Sequence, residues 1–367
     1  MGVGVVCGLA VLSYGLNGAS AQTLAAGPQQ TDVYVAGEGG YHTYRIPSVI
    51  VTPGGTVLAF AEGRRAGAAD AGDIDLVAKR SRDGGASWSA MQVVGDNGAN
   101  TFGNPCPVID RATGTIWLLT TQNRGTDREQ DIIAGTSKAG RTVWLMKSVD
   151  DGATWSKPVE ITSNVTRHGW TWYATGPGVG IQTGSGRLVI PANHAEDGIH
   201  HSHLVFSDDG GKSWTLGASA AAGTNESQVV ELADGRLMLN MRNHPPKPEN
   251  VRMVATSDDG GRTLSAARPD SALVEPPVQA SFLRYSTASS LDRNRLLFAN
   301  PASARRERLT VRLSYDEGAT WPVARVVHEG PAAYSSLVVL PDLSIGLLYE
   351  RGERSAYERI TFARFSL

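Results

Sequence analysis

Short stretches rich in β-branched, aliphatic and aromatic residues alternate with polar, glycine-rich turns along most of the chain. RTVWLMK, KPVEI and NVRMVAT are examples of these stretches, and VTPGGTV joins two of them with residues typical of a hairpin turn. Helix signals are nearly absent outside the first twenty residues. The pattern therefore predicts an all-β protein made of short antiparallel strands.

An octapeptide of the form S-x-D-x-G-x-x-W recurs between these stretches. Its copies begin at Ser81, Ser148, Ser207, Ser257 and Ser314, and the fourth copy ends in Leu264 instead of tryptophan. The aspartate can accept hydrogen bonds from backbone N–H groups of its own loop, and the glycine can adopt a positive φ. The aromatic residue can then fold back and cover the turn with apolar area. Each copy is predicted to be a tight hairpin turn.

The spacing of the octapeptide predicts how the strands are assembled. The copies start about 50 to 70 residues apart, and a repeat of that length is typical of a stacked or radial array. Strand candidates flank each copy, so one repeat is a small antiparallel sheet and a propeller is the natural closure. We expect the last strand candidate, RITFARFSL, to pair with the first strand and remove the exposed sheet edges.

Composition and the first residues limit the possible partners and location. Lys and Arg number 34 against 36 Asp and Glu, for a formal net charge of -2, which argues against nucleic acid as a partner. Residues 1–22 are apolar and end near Ala-Ser-Ala, which predicts a signal peptide although no Lys or Arg precedes the apolar run. Residues 23–367 are expected to form one secreted or periplasmic domain, with no segment able to span a bilayer.

Histidines form one cluster that could bind a metal. His194, His200, His201 and His203 lie within ten residues, and the H-x-H spacing on a strand can hold zinc. Cysteine is absent nearby, however, and no H-E-x-x-H frame is present. We therefore interpret the cluster as loop and strand surface and expect neither a metal nor another cofactor.

Three other segments carry polar or reactive groups without a clear chemical role. TQNRGTDREQD, residues 121–131, is predicted to be a solvated rim, and Cys106 in GNPCPVID is predicted to be a packed thiol in a buried strand. Trp170, Trp172 and Tyr173 lie beside a glycine- and proline-rich bend, where core packing and ligand stacking explain them equally well.

Charged residues and one tyrosine stand in or near predicted strands that are far apart in sequence. Arg45 lies in YRIP, and the loop GRRAGAADAGDIDLV carries Arg64 and Asp70 among small residues, which leave a carboxylate projecting freely. Glu226 occurs in a short polar turn and Arg242 ends a strand. Further along the chain are Arg305, Arg306, Arg308, Tyr334 and Glu350. Taken singly, each charged residue would be an ordinary salt bridge or solvated face.

Together these motifs resemble the bacterial and animal exo-α-sialidases, or neuraminidases, whose octapeptide is the Asp-box or BNR repeat. The resemblance runs from about Val33 to Leu367 and implies an all-β, six-bladed β-propeller of four-stranded antiparallel blades. The Asp-box alone is not specific, because unrelated propellers contain it. The specific motifs are YRIP, GAADAGDIDLV, TNESQVVEL with NMRN, LTVRLSYDEG, and AYSSL followed by LLYE.

The resemblance also implies roles for individual residues. It assigns Arg45, Arg242 and Arg306 to the sialic acid carboxylate, Asp70 as general acid, Tyr334 as nucleophile, Glu226 as its base, Glu350 behind Arg45, and Arg64 and Asn104 near the sugar O4 hydroxyl. The chain departs from the family at three points. Arg305 competes with Arg306 as third arginine, Arg308 stands where the family often has Asn, and Asn104 stands where several relatives have Asp.

Elementary chemistry is consistent with these implied roles. Three guanidinium groups about 6 Å apart repel one another by about 2 to 3 kcal/mol per pair, so such a cluster makes sense only around an anion. A carboxylate accepts bidentate hydrogen bonds from these planar groups. The anomeric carbon of sialic acid carries a carboxylate, and a neutral phenol approaches it without the charge conflict that a carboxylate nucleophile would meet.

The resemblance implies a hydrolase that releases terminal α-linked sialic acids, with retention through a tyrosyl-enzyme intermediate, from glycoproteins, glycolipids or oligosaccharides. Three alternatives remain open from the sequence. A trans-sialidase of the same fold would pass the sugar to another sugar. A non-catalytic glycan-binding propeller would have Asp-boxes without the dispersed Arg, Asp, Glu and Tyr residues. A related enzyme would prefer a nine-carbon acid that lacks the N-acyl group.

Overall fold

The computed structural model describes residues 1–2, 27–244 and 250–367, and nearly all of the regular secondary structure in this part of the chain is β-strand. The prediction of an all-β protein is therefore confirmed. Residues 3–22 of the predicted signal peptide lie outside the described residues. None of the helices in the described part has the length and apolar character that a membrane crossing needs.

The described strands are β1 (Gln29–Val35), β2 (Thr43–Val51), β3 (Val57–Arg64), β4 (Ile74–Ser81), β5 (Gln92–Gly95), β6 (Thr101–Ile109), β7 (Ile116–Asn123), β8 (Thr142–Ser148), β9 (Val159–Glu160), β10 (Trp170–Thr175), β11 (Ile181–Gln182), β12 (Leu188–Glu196), β13 (Ile199–Ser207), β14 (Thr215–Ser219), β15 (Thr224–Glu231), β16 (Leu237–Asn243), β17 (Val251–Ser257), β18 (Arg268–Val274), β19 (Ser281–Ser286), β20 (Arg295–Pro301), β21 (Glu307–Ser314), β22 (Val323–Val339), β23 (Ile345–Arg351) and β24 (Arg359–Phe365). Two short helices, α1 (Glu129–Ile133) and α2 (Thr162–Val165), flank β8.

Pairing of strands that follow one another in sequence produces four hydrogen-bonded sheets. Their strand orders are β1-β24-β23-β22-β21-β20-β19, β10-β12-β13-β14 with β11 beside β12, β15-β16-β17-β18, and β2-β3-β4-β6-β7-β8-β9 with β5 beside β4. Nearly all of these pairs are antiparallel; β4 and β6 meet in parallel at Ile74 and Thr101. Short turns and antiparallel neighbours are expected from the glycine-rich connections in the sequence.

Several strands that are distant in sequence contact one another. Strand β2 contacts β6 and β22, β12 contacts β6 and β15, and β19 contacts β15 and β22. These contacts connect six strands in a closed series, so the ends of distant sequence segments meet around one axis. Strand β22 is long enough to pair with β21 through its first half and with β23 through its second half.

The first and last strands of the described chain join the two ends of the sequence. β1 pairs antiparallel with β24, from Gln29 opposite Arg364 to Val35 opposite Arg359. Tyr34 is buried in this junction and donates a hydrogen bond from its hydroxyl to the carbonyl of Ala59, at 2.8 Å. The predicted pairing of the C-terminal with the N-terminal strand is confirmed.

The hydrophobic core lies between neighbouring sheet segments. Every residue of β3 is buried, and Leu58 and Phe60 of this strand pack in one cluster with Ile116 and Leu118 of β7. Burial of such side chains stabilises the fold by about 1.5 to 3 kcal/mol each. Cys106 is fully buried in β6, which confirms the prediction of a packed thiol.

The five octapeptides form turns with the same hydrogen bonds. In the second copy, the Ser148 hydroxyl donates to Asp150 at 2.8 Å and accepts from the Gly152 N–H at 2.9 Å, and Asp150 accepts from the Thr154 N–H at 2.9 Å. The serine hydroxyl accepts the same glycine N–H in the other four copies. The aromatic Trp155 packs edge-on against Phe60 of β3, with ring centroids 5.7 Å apart. The predicted turn chemistry is confirmed.

Candidate active site

The polar residues singled out in the sequence surround one cavity of about 540 Å³ at the centre of the strand series. Its lining includes Arg45, Arg64, Asp70, Asn104, Glu226, Arg242, Arg306 and Tyr334. Glu350 is fully buried and contacts the cavity residues from behind. Segments separated by almost three hundred residues therefore contribute to one site.

β-Bulges at the ends of the central strands turn backbone and side chains toward the cavity. The pairing of β2 shifts between Arg45 and Ser48, and that of β6 shifts between Gly103 and Cys106. Ile46 and Asn104, inside these bulges, have φ values of 60° and 54°. A β-branched residue rarely adopts such a conformation, so the surrounding contacts must hold it in place.

Glu350 supplies several of those contacts. Its carboxylate accepts from Arg45 Nε at 3.1 Å and Nη2 at 3.4 Å. It also accepts from the backbone N–H groups of Ile46 at 3.0 Å and Tyr334 at 3.1 Å. One buried carboxylate thus fixes the bulge of β2, the Arg45 guanidinium and the backbone of Tyr334.

Arg242 approaches the cavity from β16, and Arg306 approaches it from the loop before β21. Arg242 donates from Nη1 to Glu226 at 2.8 Å, while Arg306 donates to the Tyr357 hydroxyl at 2.5 Å and to the Pro277 carbonyl at 2.9 Å. Arg305, in contrast, is 81% exposed and pairs with Glu307. Of the two adjacent arginines, Arg306 is the one that lines the cavity.

Tyr334 and Glu226 form a hydrogen-bonded pair at the floor of the site. The Tyr334 hydroxyl donates to Glu226 Oε1 at 2.5 Å, and Arg242 Nη1 lies 3.5 Å from the same hydroxyl. The guanidinium carbons of Arg45 and Arg306 lie 4.9 and 5.6 Å from the centre of the Tyr334 ring. Burial and the charge of Glu226 raise the pKa of Tyr334, while the three arginines oppose the rise. The phenol is therefore neutral at ordinary pH.

Glu226 and its surroundings differ in one respect from the sequence prediction. The sequence places Glu226 in a polar turn, but it lies within β15, where the pairing with β16 shifts between Thr224 and Ser227. This bulge lets a strand residue face the cavity. The bulge contains no glycine or proline that would distinguish it from a turn in the sequence.

Asp70 projects from the loop between β3 and β4, and its side chain is 56% exposed. Its carboxylate lies 2.8 Å from Arg64 Nη2 and 3.4 Å from Arg45 Nη1. Burial by the cavity walls opposes ionisation of Asp70, but the charges of Arg64 and Arg45 outweigh burial and lower its pKa. These two arginines therefore favour the carboxylate form of Asp70.

Asn104 is paired with an arginine that the sequence interpretation missed. Arg141, in the segment before β8, lines the cavity, is 6% exposed and donates to the Asn104 side-chain oxygen at 2.8 Å. Its guanidinium lies 4.2 Å from the ring centre of Trp172, and burial lowers the pKa of Arg141 to about 10. Arg141 has no local motif that distinguishes it from a surface arginine at the start of a strand.

The prediction that residues 121–131 form a solvated rim is correct for one part of the segment and wrong for another: Arg124, Thr126 and Arg128 are exposed. Thr121, Gln122 and Asn123 are buried at the end of β7, and Glu129 begins α1 and lines the cavity. Burial and the negative charge of Asp70 raise the pKa of Glu129. This segment is charged because part of it lies over a polar site. A surface loop would have a similar composition, so the sequence alone does not distinguish the two positions.

The interpretation of the histidine cluster as surface is also wrong. His194, His200 and His203 are at most 7% exposed, and Trp170 stacks on His194 with ring centroids 3.4 Å apart. His200 lines the cavity, and burial lowers its pKa to about 4. Within the described residues, no group of three or more His, Cys, Asp or Glu side chains is arranged to hold a metal ion. Trp172 lines the cavity, whereas Tyr173 belongs to the core.

The chain is similar to characterised families in both sequence and structure. A family model described as a BNR repeat-like domain matches residues 55–349. An exo-α-sialidase of Aspergillus fumigatus is 36% identical over 89% of this chain and 85% of that protein. A sialidase of Micromonospora viridifaciens is 36% identical over 91% of this chain, which spans 54% of that longer protein.

Solved structures give the same result. The Hadza microbial sialidase Hz136 has a TM-score of 0.84 and 32% identity, and the match covers 92% of this chain and 68% of that one. An intramolecular trans-sialidase from Ruminococcus gnavus has a TM-score of 0.78 at 20% identity, over 92% of this chain and 97% of that one, and therefore shares the fold. Because the domain model spans most of the chain and the sialidases align along nearly its whole length, the chain belongs to the exo-α-sialidase family of glycoside hydrolases with BNR repeats.

Proposed function

We propose that this protein hydrolyses terminal α-linked sialic acids from glycoproteins, glycolipids or oligosaccharides, with retention through a tyrosyl-enzyme intermediate. The observation that carries the proposal is the hydrogen bond of 2.5 Å between the Tyr334 hydroxyl and Glu226, within a cavity lined by five arginines. A neutral phenol with an attached base, next to a cluster of cations, suits attack on a carbon that bears a carboxylate.

Arg45, Arg242 and Arg306 are proposed to bind that carboxylate. Neighbouring carboxylates compensate the positive charge of these arginines only in part. Glu350 pairs with Arg45, and Glu226 pairs with Arg242. Among the hydrogen bonds of the described residues, Arg306 contacts only neutral oxygens. The cluster therefore attracts an anion into the cavity. Charge-assisted bonds from planar guanidinium groups would also fix the sugar in one orientation.

In the first chemical step, the Tyr334 oxygen attacks the anomeric carbon as the bond to the leaving oxygen breaks. Glu226 accepts the phenol proton, and Asp70 donates a proton to the leaving group. The raised pKa of Tyr334 means that the phenol loses its proton only as the new bond forms, which makes the base at 2.5 Å necessary.

In the second step, water attacks the anomeric carbon and the bond to the Tyr334 oxygen breaks. Asp70, now a carboxylate, accepts a proton from the water, and Glu226 returns its proton to the phenol oxygen. Two inversions at one carbon give net retention. Each catalytic group ends in the protonation state in which it began.

The general-acid role requires Asp70 to be protonated when substrate is bound. The charges of Arg64 and Arg45 by themselves lower the pKa of Asp70 and oppose this protonation. A bound substrate carboxylate would add a negative charge beside Arg45 and weaken its effect on Asp70, which raises the pKa of Asp70 in the complex. Substrate binding and proton uptake are thereby coupled.

Arg64 and Asn104 are proposed to contact the sugar hydroxyl at C4. Both are buried at the cavity wall, and Arg64 is held by Glu62 and by the carbonyl of Ala68, at 2.6 Å each. The Asn104 side-chain oxygen already accepts from Arg141, so its amide N–H groups are the part available to a ligand.

We also propose that the fold is a six-bladed propeller of four-stranded antiparallel blades, in one domain over residues 23–367. Successive blades would be β2–β5, β6–β9, β10 with β12–β14, β15–β18, β19–β21 with the first half of β22, and the second half of β22 with β23, β24 and β1. The closed series of inner-strand contacts supports this grouping. The predicted leader favours a secreted or periplasmic location.

Replacing Tyr334 by Phe tests the nucleophile. We expect kcat for an aryl α-sialoside to fall about 1000-fold or more, because the attacking oxygen is lost. Tyr349→Phe is the matched control, since Tyr349 is buried in β23 and its hydroxyl bonds Gln30 outside the cavity. A Tyr334→Phe variant with the wild-type rate would contradict the proposal.

The fate of the sugar distinguishes hydrolysis from transfer. Incubation with sialyl-lactose isomers, followed by NMR, should show free sialic acid released first as the α-anomer. Addition of lactose as acceptor should leave the product unchanged. Accumulation of a transferred sialoside would identify a trans-sialidase, and initial release of the β-anomer would exclude retention.

A further inference from the structure

Glu62 is a buried carboxylate in the cavity wall that the proposed mechanism does not yet use. It lies on β3 two residues before Arg64, so both side chains project from the same face of the strand. Glu62 is 2% exposed and lines the cavity. A carboxylate with so little access to water requires several hydrogen-bond donors.

Both oxygens of Glu62 are occupied by donors of the protein. Oε2 accepts from Arg64 Nε at 3.0 Å and Nη2 at 2.6 Å. Oε1 accepts from the backbone N–H of Asn104 at 2.8 Å, inside the bulge of β6. A Cβ atom at Gly103 would lie 2.3 Å from Oε1, so the glycine beside the bulge leaves the space that the carboxylate fills.

Arg64 is consequently shared between two carboxylates. A single nitrogen, Nη2, lies 2.6 Å from Glu62 and 2.8 Å from Asp70, while Nη1 donates to the Ala68 carbonyl at 2.6 Å. Nε, Nη1 and Nη2 each donate one hydrogen bond within the protein, and Nη2 also forms the ion pair with Asp70. Glu62 therefore sets both the position of Arg64 and how much of its positive charge acts on Asp70.

We propose that Glu62 is a positioning residue for the acid/base step: it holds Arg64 in place and neutralises it, so that Asp70 can take up a proton in the substrate complex. This inference rests on the proposed function, in which Asp70 is the general acid. Without Glu62, the full charge of Arg64 would favour the carboxylate form of Asp70.

Other charged groups face Asp70 as well and also influence its protonation. They are Arg45 on β2, Arg64 on β3, Arg141 before β8 and Glu129 on α1. Three positive groups surround Asp70, and Glu129 is the negative group that faces it directly. Glu62 differs from Glu129 because it acts through a shared guanidinium nitrogen.

Glu62→Gln removes the charge but keeps an oxygen that can accept from Asn104. The alkaline limb of kcat for sialyl-lactose, which reports the acid in the substrate complex, should move to lower pH by about one unit. The sign follows because the acid is active only when protonated, and a lower pKa means that activity is lost at lower pH. At a pH above the limb, kcat should fall about tenfold.

The leaving group separates this effect from general damage. A sugar alcohol needs a proton to depart, whereas a nitrophenolate needs little assistance, so kcat for a nitrophenyl sialoside should change much less. Asp75→Asn is the matched control: Asp75 is a fully buried carboxylate of the same sheet, pairs with Arg65 at 2.7 Å and does not line the cavity. It should lower the unfolding temperature without moving the pH limb.

Asp70→Asn distinguishes failure of the inference from failure of the proposed function. If the variant reduces kcat/KM, which reports the first chemical step, equally for both substrates, Asp70 is not the acid and the proposed function fails at that point. If its effect is selective for sialyl-lactose while Glu62→Gln leaves the limb in place, only the role of Glu62 is overturned.

Glu62→Asp keeps the negative charge on a shorter side chain. This variant tests the proposal also if Glu62→Gln does not fold. We expect it to lower kcat for sialyl-lactose while the alkaline limb keeps its wild-type position. A limb displaced to lower pH in Glu62→Asp would overturn the proposal, because the neutralising charge is still present there.

Discussion

Arg305 and Arg306 are neighbours in sequence but lie in different environments. The Arg305 side chain is solvated and pairs with Glu307, while Arg306 reaches across to Tyr357 and Pro277 at the cavity. Arg308 is likewise on the outside, at a φ of 59° and 3.4 Å from Glu329. At the scale of one residue, the direction of the side chain decides between a ligand-binding group and a surface charge.

The adjacent pair of arginines provides a matched experiment. Arg306→Ala should raise KM for sialyl-lactose about 30-fold, since loss of a charge-assisted hydrogen bond to the substrate costs about 2 kcal/mol. Arg305→Ala removes the same charge one residue away and should leave KM within about twofold, because solvated charges contribute little. An equal effect of both variants, measured by steady-state kinetics, would contradict the placement of the carboxylate.

Single-residue chemistry explains why some of the site could be predicted and some could not. YRIP and TNES are unusual sequences, so Arg45 and Glu226 could be found from the resemblance. Glu62, Glu129 and Arg141 occur in segments that read as strand or charged loop, and their place at the cavity depends on neighbours far away in sequence. Contacts of that kind leave no local pattern.

At the scale of an element, the Asp-box turn does more than close a hairpin. Hydrogen bonds from Thr154 and Ser148 lower the pKa of Asp150 to about 2, so the turn remains fully ionised at ordinary pH. The glycine of each copy lies against the neighbouring sheet segment, for example Gly211 against Trp117 of β7. The repeat thus connects adjacent segments on the side of the fold away from the cavity.

Alanine substitutions at two consecutive glycines of this turn can distinguish the effect of backbone strain from the effect of packing. Gly210 and Gly211 both have positive φ, but a Cβ at Gly211 would lie 2.2 Å from the Trp117 ring, whereas one at Gly210 would have its nearest contact at 3.6 Å. Gly211→Ala should therefore destabilise the fold by about 1 to 3 kcal/mol more than Gly210→Ala. Thermal unfolding of the two variants measures the difference, and equal losses would show that backbone strain alone matters.

The bulges are the elements that make the strands functional. With regular pairing, the side chains of Arg45 and Asn104 would follow the alternation of side chains between the two faces of β2 and β6. The shifted register and the positive φ of Ile46 and Asn104 re-aim these strand ends, and buried Glu350 and Glu62 hold the altered backbone. Strand identity was predictable from residue pattern, but the bulges were not, because the carboxylates that stabilise them come from other strands.

At the scale of the whole molecule, the pairing of β1 with β24 holds the ends of the chain together. Asp32 on β1 lies 3.3 Å from Arg351 and 3.1 Å from Arg359, and Val33 and Tyr34 are buried in the adjoining core. β23, which carries Glu350, is next to β24 in the same sheet. The closure of the fold and the support of the active site therefore share one sheet.

Removal of β1 tests the importance of this closure. A chain that starts at Gly27 keeps the strand, and a chain that starts at Glu38 lacks it. The shorter chain should unfold at a lower temperature and aggregate more, because β24 would present an unpaired edge and Val33 and Tyr34 would be lost from the core. Identical unfolding temperatures for the two chains would contradict a stabilising role for the closure.

Residue pattern alone was sufficient to predict the strand-rich fold, the turns of the Asp-boxes, the pairing of the first and last strands and the family, because these features depend on local pattern or on motifs that repeat. The three-dimensional contacts were needed to show that Arg306 and not Arg305 faces the cavity, that Glu129 and His200 line it, and that Glu62 shares Arg64 with Asp70. Burial and charge pairing depend on distances between strands, and contacts between strands bring together residues whose separation in sequence carries no information about their contact.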